Sequence, residues 1–386
     1  MASVRKELVP DESVFFGIFN GAVDFRTTSH HVLANTFDTC TFRVHCEVAP
    51  FADYPKDLVV RLETSKGFIA GMAVLQRLAR TQLPDLVPPI LGIGTTTTAD
   101  EREVDYCVIP YYLGTSPLDD VWDTLDETHQ FELMASISHA VEKLQKLDLS
   151  SVDQSLIANI SHENSKTPIG GPKLGYFPNI EQLLHGILQA RISRCELSTI
   201  EGGIALQSPH KDIGRVELTL SELEELQDHV VFCHNDLESR NILVREIPSK
   251  DSSPRYEIAA IIDWEMAGFY PFAYEYCNKD LGLGLSNLSF SWYSQFKQQT
   301  SHMLPQAYCH TKLIKLLNII DESQKRRMTR NVGVNIRIKW MERQQIEKSS
   351  DPRRGFVRKD GTQSLPFTKD DQEALELEVL EALGYK

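Results

Sequence analysis

The chain has 386 residues, 41% hydrophobic and 24% charged, a globular mixture long enough to suggest two cores. Its 40 Lys+Arg against 54 Asp+Glu give a formal net charge of −14, which argues against nucleic acid as a partner. Seven scattered cysteines include no CxxC pair, which argues against zinc, and no run of about 18 apolar residues offers a membrane span.

The N-terminal MASVRKELVPDESV holds no apolar stretch of signal-peptide length, so a soluble, reducing, cytoplasmic setting is expected. Alternation in FRVHCEV (42–48) and LVVRLE (58–63) predicts two strands, with the polar APFADYPKD between them as a hairpin connection. In GFIAGMAVLQRLAR (67–80), Ile69, Met72, Leu75 and Leu78 recur every three residues and predict a helix. GTTTTAD (94–100) reads as a turn, and YCVIPYYLG (106–114) as an apolar strand ending at Gly114. This first part reads as a small sheet with one helix.

HQFELMASISHAVEKLQKL (129–147) predicts an amphipathic helix with Met134, Ile137, Val141 and Leu144 on its core face. The Gly- and Pro-rich SKTPIGGPKLGYFP (165–178) reads as loop. Helices are expected over 179–192 and 220–229, then short strands at VVFC (230–233), ILV (242–244) and YEIAAII (256–262). Beyond these the pattern turns helical. Residues 325–359 hold twelve Lys/Arg and three Asp/Glu, which reads either as a solvated, mobile insertion or as a site for an anionic partner. The last helix, in 367–386, starts at a capping-box-like Thr368 and Asp371 and stops at Gly384.

HNDLESRN (234–241) sits between the apolar VVFC and ILV. An acid and an amide five residues apart, in a loop between strands, suit phosphoryl transfer. That reaction needs an acceptor hydroxyl held in line and phosphate charge neutralised by Mg²⁺. Magnesium takes hard oxygen ligands and keeps several waters, so two protein ligands plus phosphates suffice. Asp236, Asn241 and, after EIAAII, Asp263 offer such a set. His234 at the head of the loop reads as a buried orienting residue. Asp and Asn also cap turns well, but the following apolar-apolar-Asp-Trp-Glu makes turn capping alone a poor account of this pattern.

FCHNDLESRNILV followed by IIDWEMAGFYPFAYEY resembles the aminoglycoside phosphotransferase family, in particular its fungal phosphotransferase-enzyme members. The likeness is strongest over 230–276. It extends more loosely through VVRLE, VPPILGI (87–93), VIPYYLGTSPLDDVW (108–122) and IGGPKLGYF (169–177). It implies an α+β, two-lobed, protein-kinase-like fold: a mostly β N-lobe in 1–113 and a mostly α C-lobe in 114–386. It implies ATP and Mg²⁺ as cofactors and a small-molecule hydroxyl as acceptor. Residue by residue, it implies that Asp236 is the catalytic base and that Asn241 and Asp263 are magnesium ligands. Arg61 is the implied phosphate-contacting cation. Ile109–Leu113 is the implied hinge that meets adenine through its backbone; Pro110 has no N–H, so a donor there comes from Tyr111 or a later residue. Glu275 is read as a structural anchor.

The sequence departs from that pattern in two places. A kinase-like strand cation pairs with a helix Glu, yet no Asp or Glu occurs between Thr64 and Pro84, and Gly71 stands near the expected position. Glu63 and Gln76 are both candidate replacements. The phosphate-covering segment NTFDTCT (35–41), ahead of the first expected strand, contains no Gly, so close backbone approach to phosphate is less favoured. These departures leave a nucleotide-binding pseudokinase or scaffold, with weak or no transfer activity, as the alternative to a phosphotransferase. A protein kinase is not expected, because DWEMAGFYPFAYEY passes straight into helix-like sequence without an activation segment.

Overall fold

The alternation in FRVHCEV belongs to a strand that runs three residues earlier than expected, Thr39–His45, whose even-numbered residues Cys40, Phe42 and Val44 are fully buried. The computed structural model describes residues 6–147, 168–248, 254–359, 362 and 367–385. Contacts divide the chain into two units. One is built mainly from the described residues up to Pro117 together with 242–267; the other holds 118–146, 168–241 and the described residues from 268 onward.

The first unit begins with α1 (Glu12–Phe19), which Asp11 caps by accepting from the Val14 amide at 2.9 Å. Then come β1 (Ser29–Asn35), β2 (Thr39–His45), β3 (Asp57–Glu63), α2 (Phe68–Gln82), β4 (Gly92–Thr97), β5 (Glu103–Pro110) and β6 (Thr115–Pro117). The first five strands form one antiparallel sheet in the order β1-β2-β3-β5-β4. Phe15 and Phe19 of α1 pack with Phe42, Val44, Leu58, Val60 and Leu62 of this sheet. On α2, Ile69, Met72, Leu75 and Leu78 are all buried, as their spacing predicts.

Four expectations for this part need correction. It carries a second helix, α1. The segment 35–41 does not precede the first strand; it spans the β1–β2 turn and the start of β2. The run GTTTTAD is mostly strand: Gly94–Thr97 pair with Glu103–Tyr106, and only the residues after Thr97 turn. Threonine is β-branched and suits a pleated edge as well as it suits a turn. The apolar strand also ends at Pro110 rather than Gly114, where proline removes the next ladder donor.

The second unit opens with the short α3 (Leu118–Val121) and then α4 (Glu127–Gln145), whose Met134, Ile137, Val141 and Leu144 are buried. The segment read as loop over 165–178 is, from residue 168 on, a small hairpin of β7 (Ile169–Gly171) and β8 (Gly175–Phe177); residues 165–167 lie outside the described residues. Gly170 permits it, with φ 111° and a backbone so close that a Cβ would lie 2.1 Å from the Gly175 carbonyl oxygen. After α5 (Ile180–Ala190) comes an unanticipated antiparallel sheet of β9 (Glu196–Ile200), β10 (Gly203–Gln207) and β11 (Arg215–Thr219). α6 (Leu220–Asp228) follows on a full capping box of Thr219 and Glu222, then β12 (Val230–Cys233).

After residue 241, β13 (Ile242–Ile247) and β14 (Arg255–Ile261) return to the first unit. β13 pairs with β6, and the Ile261 amide donates to the Leu86 carbonyl at 2.7 Å. Those bonds group the pair with the N-terminal unit, although a boundary at 113/114 would assign it to the second part. The chain then re-enters the second unit at β15 (Gly268–Pro271), which joins the sheet β12-β15-β7-β8. α7 (Phe272–Gly282), α8 (Phe290–Thr300), α9 (Tyr308–Arg327) and α10 (Val332–Arg343) follow. The β16 (Ile346–Lys348) and β17 (Phe356–Arg358) hairpin and α11 (Lys369–Ala382) complete the unit. The expected α+β class, with a β-rich first part and a helical second, is met. No helix among the described residues is long and apolar enough to cross a membrane.

The basic segment 325–359 is not a solvated insertion. It contributes α10 and the β16–β17 hairpin, with Trp340 and Arg337 buried. Arg326 pairs with Asp212, Lys325 with Asp321, and Lys339 and Arg343 with Glu378. On α11, the Thr368–Asp371 capping box is formed, and Leu375 and Val379 pack against Trp340, Leu283 and Tyr293.

Two measurements test this packing. Leu375→Ala should destabilise the protein by about 2–4 kcal/mol in chemical denaturation, because it opens a cavity at a fully buried position. His310 of α9 is buried edge-on to His229 at 5.4 Å, with neither ring nitrogen hydrogen-bonded among the described residues. Burial, reinforced by His229 and Arg353, lowers its pKa from 6.5 to about 4. The unfolded chain therefore takes up this proton first. Stability from this group is complete above pH 6.5 and falls as pH drops toward about 4. His310→Gln should flatten that part of the pH–stability curve, and an unchanged curve would contradict the assignment.

Candidate active site

β12 delivers the loop 234–241. Phe232 and Cys233 are buried where β12 pairs with β15, so the chain leaves the sheet at a fixed point. Asn235 takes the left-handed conformation, φ 62°, which asparagine tolerates. The amides of His234 and Asn235 both donate to the Glu275 carboxylate of α7, each at 3.2 Å. Glu275 is 1% exposed. Burial raises its pKa, against the opposing pull of Lys279 and the two loop amides. His234 is itself buried, and its Nδ1 accepts from the Asp236 amide at 3.3 Å.

The chemistry-bearing end of the loop is equally constrained. One Arg240 nitrogen, Nη2, donates to both Asp236 carboxylate oxygens at 2.7 Å, while Nη1 donates to the Ser286 carbonyl at 2.9 Å. The Asn241 side-chain amide donates to Asp236 Oδ2 at 2.8 Å and to the Asp236 carbonyl at 2.7 Å. Asp236 and Asn241 therefore meet. The residues between them hold contacts of their own. Glu238 is 4% exposed and pairs with the buried Lys279 at 3.0 Å; Trp292 Nε1 donates to its other oxygen at 3.3 Å. Lys279 also donates to the Leu237 carbonyl, and Ser239 donates to Asp119 at 2.6 Å. The available signal was the i,i+4 spacing of Glu275 and Lys279, which puts both charges on one face of α7.

The other predicted residues lie in the first unit. Asp263 follows β14 and caps a 3-10 turn (Trp264–Met266) with φ 63° and ψ 62°. Trp264 fixes that turn: it is 1% exposed and its indole N–H donates to the Ile261 carbonyl at 2.9 Å. From β3, Arg61 Nη1 donates to Asp263 at 3.3 Å, Nη2 donates to Glu265, and Glu63 stands 3.8 Å from Nη2. Burial works against the Arg61 charge, but Glu265, Asp263 and Glu63 outweigh it and raise its pKa. The acid missing from α2 is thus replaced from the Asp-Trp-Glu turn, with Glu63 behind it. Gln76 plays no part in this; its side-chain amide donates to the Pro88 carbonyl at 2.8 Å.

At the expected hinge, the Tyr111 amide is committed within the sheet. Ile109 lies within β5 opposite Val59. The Tyr111 amide donates to the Asp57 carbonyl at 2.9 Å, and its ring sits 4.0 Å from the Arg43 guanidinium, which pairs with Asp57 at 2.6 Å. Tyr111 thus anchors the end of β5. The β1–β2 turn is likewise self-satisfied: Thr36 Oγ1 accepts from the amides of Asp38 (3.2 Å) and Thr39 (3.0 Å) and contacts the Thr39 hydroxyl. A threonine hydroxyl replaces the glycine-rich geometry by binding the amides locally.

Each unit carries an oxygen donor of the hard type that magnesium takes. In the second unit Asn241 spends its amide nitrogen on Asp236, so its amide oxygen is the acceptor end; in the first unit Asp263 carries a carboxylate, which Arg61 engages. No cage of three or more His, Cys, Asp or Glu occurs among the described residues. Magnesium, which keeps its waters, does not require one.

The loop, Asp263 and α7 all fall within one stretch that a family model matches. Residues 112–282, under half of the chain, match the model of the choline/ethanolamine kinase family. Kinship with small-molecule phosphotransferases is borne out over that stretch. No curated protein sequence matches at a significant level. Among solved structures, the GDP and kanamycin complex of APH(2")-IIia is 13% identical, covers 85% of this chain and 96% of its own, and has a TM-score of 0.45. Spectinomycin phosphotransferase APH(9)-Ia with ADP and spectinomycin is 12% identical, with coverage of 95% and 97% and a TM-score of 0.41. ADP-bound aminoglycoside phosphotransferase APH(2'')-Ib is 12% identical, with 93% coverage of each chain and a TM-score of 0.36. All three scores are below 0.5, and the kinship rests on the match over 112–282.

Removing Glu238 should expose what holds the loop. Glu238→Ala leaves the Lys279 ammonium buried and unpaired, so denaturation should show a loss of about 3–5 kcal/mol. The double replacement Glu238→Leu with Lys279→Met should recover most of it. A single change costing under about 1 kcal/mol would mean that the pair does not carry the loop.

Proposed function

We propose that the protein transfers the γ-phosphate of ATP, with Mg²⁺, to a hydroxyl of a small molecule. The observation that carries this reading is the Asp236 carboxylate, oriented by Arg240 and Asn241 in a loop held by Glu275 and Lys279. In this reading Asp236 holds the acceptor hydroxyl in line and takes its proton, and Asn241 and Asp263 are the metal ligands. Bound magnesium supplies charge neutralisation on the transferring phosphate. Arg61, kept in place by Glu265 and Glu63, supplies positive charge to the phosphates nearer the nucleoside. Backbone groups of the 109–113 segment beyond Tyr111 meet adenine. The seven cysteines form no disulfide, in keeping with a reducing, cytoplasmic setting.

The short path after Asp263 supports a small acceptor. Only a 3-10 turn and β15 separate it from the start of α7 at Phe272, so no activation segment for a peptide substrate intervenes. A second reading, nucleotide binding without transfer, is favoured by one observation. The β1–β2 turn spends the Asp38 and Thr39 amides on Thr36, amides that a phosphate would otherwise receive.

Turnover decides between them. The full chain with Mg·ATP and a hydroxyl panel that includes choline, ethanolamine and kanamycin should yield ADP and one phosphorylated product. Asp236→Asn should lower kcat by about 10²–10⁴-fold while nucleotide affinity is retained. Nucleotide-dependent thermal stabilisation without product from any acceptor would favour the second reading. Turnover that survives Asp236→Asn would sink the assignment of the base.

A further inference from the structure

A cavity of about 960 Å³ opens in the second unit between the start of β11, α9, α10 and the β16–β17 hairpin. No residue of the loop 234–241 lines it, nor do Arg61 or Asp263. Its walls are largely apolar, with Val216, Ile319, Met341 and Phe356 among them. Six lining cations face two lining carboxylates, Asp212 and Glu322. Those carboxylates are already committed: Asp212 pairs with Arg326, and Glu322 lies 3.3 Å from Lys325 and 3.6 Å from Lys348. Burial pushes Glu322 toward neutrality, but Lys325, Lys348 and Arg337 outweigh it and keep its pKa below the ordinary value.

Arg337 is the unusual group in the wall. It is 2% exposed. Its Nη2 donates to the Asp280 carbonyl at 2.6 Å, and its Nη1 stands 3.6 Å from Asp321, which Lys325 also engages. Arg337 Nε and Nη1 have no hydrogen-bond partner among the described residues. Buried guanidinium N–H groups left unpaired are costly, and their fixed fork matches a carboxylate or a phosphate. The Phe356 ring, 5.6 Å from the guanidinium, adds an apolar surface beside that fork.

We propose that this cavity binds a small organic anion, an apolar body carrying one carboxylate or phosphate group, with Arg337 receiving the charged group. The site is separate from the phosphoryl-transfer loop and does not depend on that assignment.

Calorimetric titration of the full chain tests it, with phenyl phosphate, benzoate, benzylamine and inorganic phosphate as probes. One aromatic anion should bind at one site per chain, and the stronger of phenyl phosphate and benzoate identifies the charged group. Benzylamine should not bind, and inorganic phosphate should bind at least about tenfold more weakly than the preferred anion. Ile338→Trp, which fills the cavity from a half-exposed position, should weaken binding about tenfold without lowering the thermal midpoint, and Lys348→Glu should also weaken it about tenfold. Arg337→Met should abolish binding if it folds; the two surface variants keep the test decisive if it does not. Four outcomes would overturn the proposal: no binding of either aromatic anion, equal binding of benzylamine, unchanged affinity in both surface variants, or displacement by Mg·ATP.

Discussion

The loop at 234–241 depends on two buried charges one helical turn apart. Glu275 accepts the amides that begin the loop, and Lys279 takes the Leu237 carbonyl and the Glu238 carboxylate further along it. Both sit on α7, itself docked beside β12 and β15. Isolated charges in such surroundings would be costly. Here each is answered by backbone groups or by an opposite charge. The geometry of Asp236 and Asn241 is therefore set by buried residues that support the loop from α7.

Arg61 follows the same rule in the first unit. A lone guanidinium on a sheet could adopt many rotamers, but contacts with Asp263, Glu265 and Glu63 narrow the choice. The sequence lacks an acid on α2, and the turn after β14 supplies two from about 200 residues away. Loss of one ion-pair partner in the sequence is thus no measure of loss of the pair. The constraint falls on the charge balance around the cation rather than on any one helix position.

Local patterns were legible wherever one face of an element is buried. The stripe of α2, the stripe of α4 and the alternation of β2 were readable for that reason. Legibility failed where propensity and context disagree. The threonine run of β4 suits strand and turn alike, and only its pairing with β5 selects the strand. The glycine-rich β7–β8 hairpin looks like loop because glycine carries no side-chain pattern. In the basic segment the surplus of charge suggested exposure, yet Asp212, Asp321 and Glu378, all outside the segment, supply its counter-charges. The Tyr111 amide is spent on Asp57, a partner 54 residues earlier in the chain.

The sequence by itself put forward a candidate set and its order. Asp236, Asn241 and Asp263 are residue types suited to phosphoryl transfer, placed beside short apolar strands. Only the tertiary structure decided which groups hold that set. It chose Glu265 and Glu63 over Gln76 for Arg61, Arg240 as the clamp on Asp236, and Glu238 with Lys279 as the support beneath the loop. It also left Arg337 buried with unspent donors in the wall of a cavity. The reason is physical: residue type dictates which chemistry a side chain can perform, whereas burial and long-range pairing dictate which partner is within a hydrogen bond's reach.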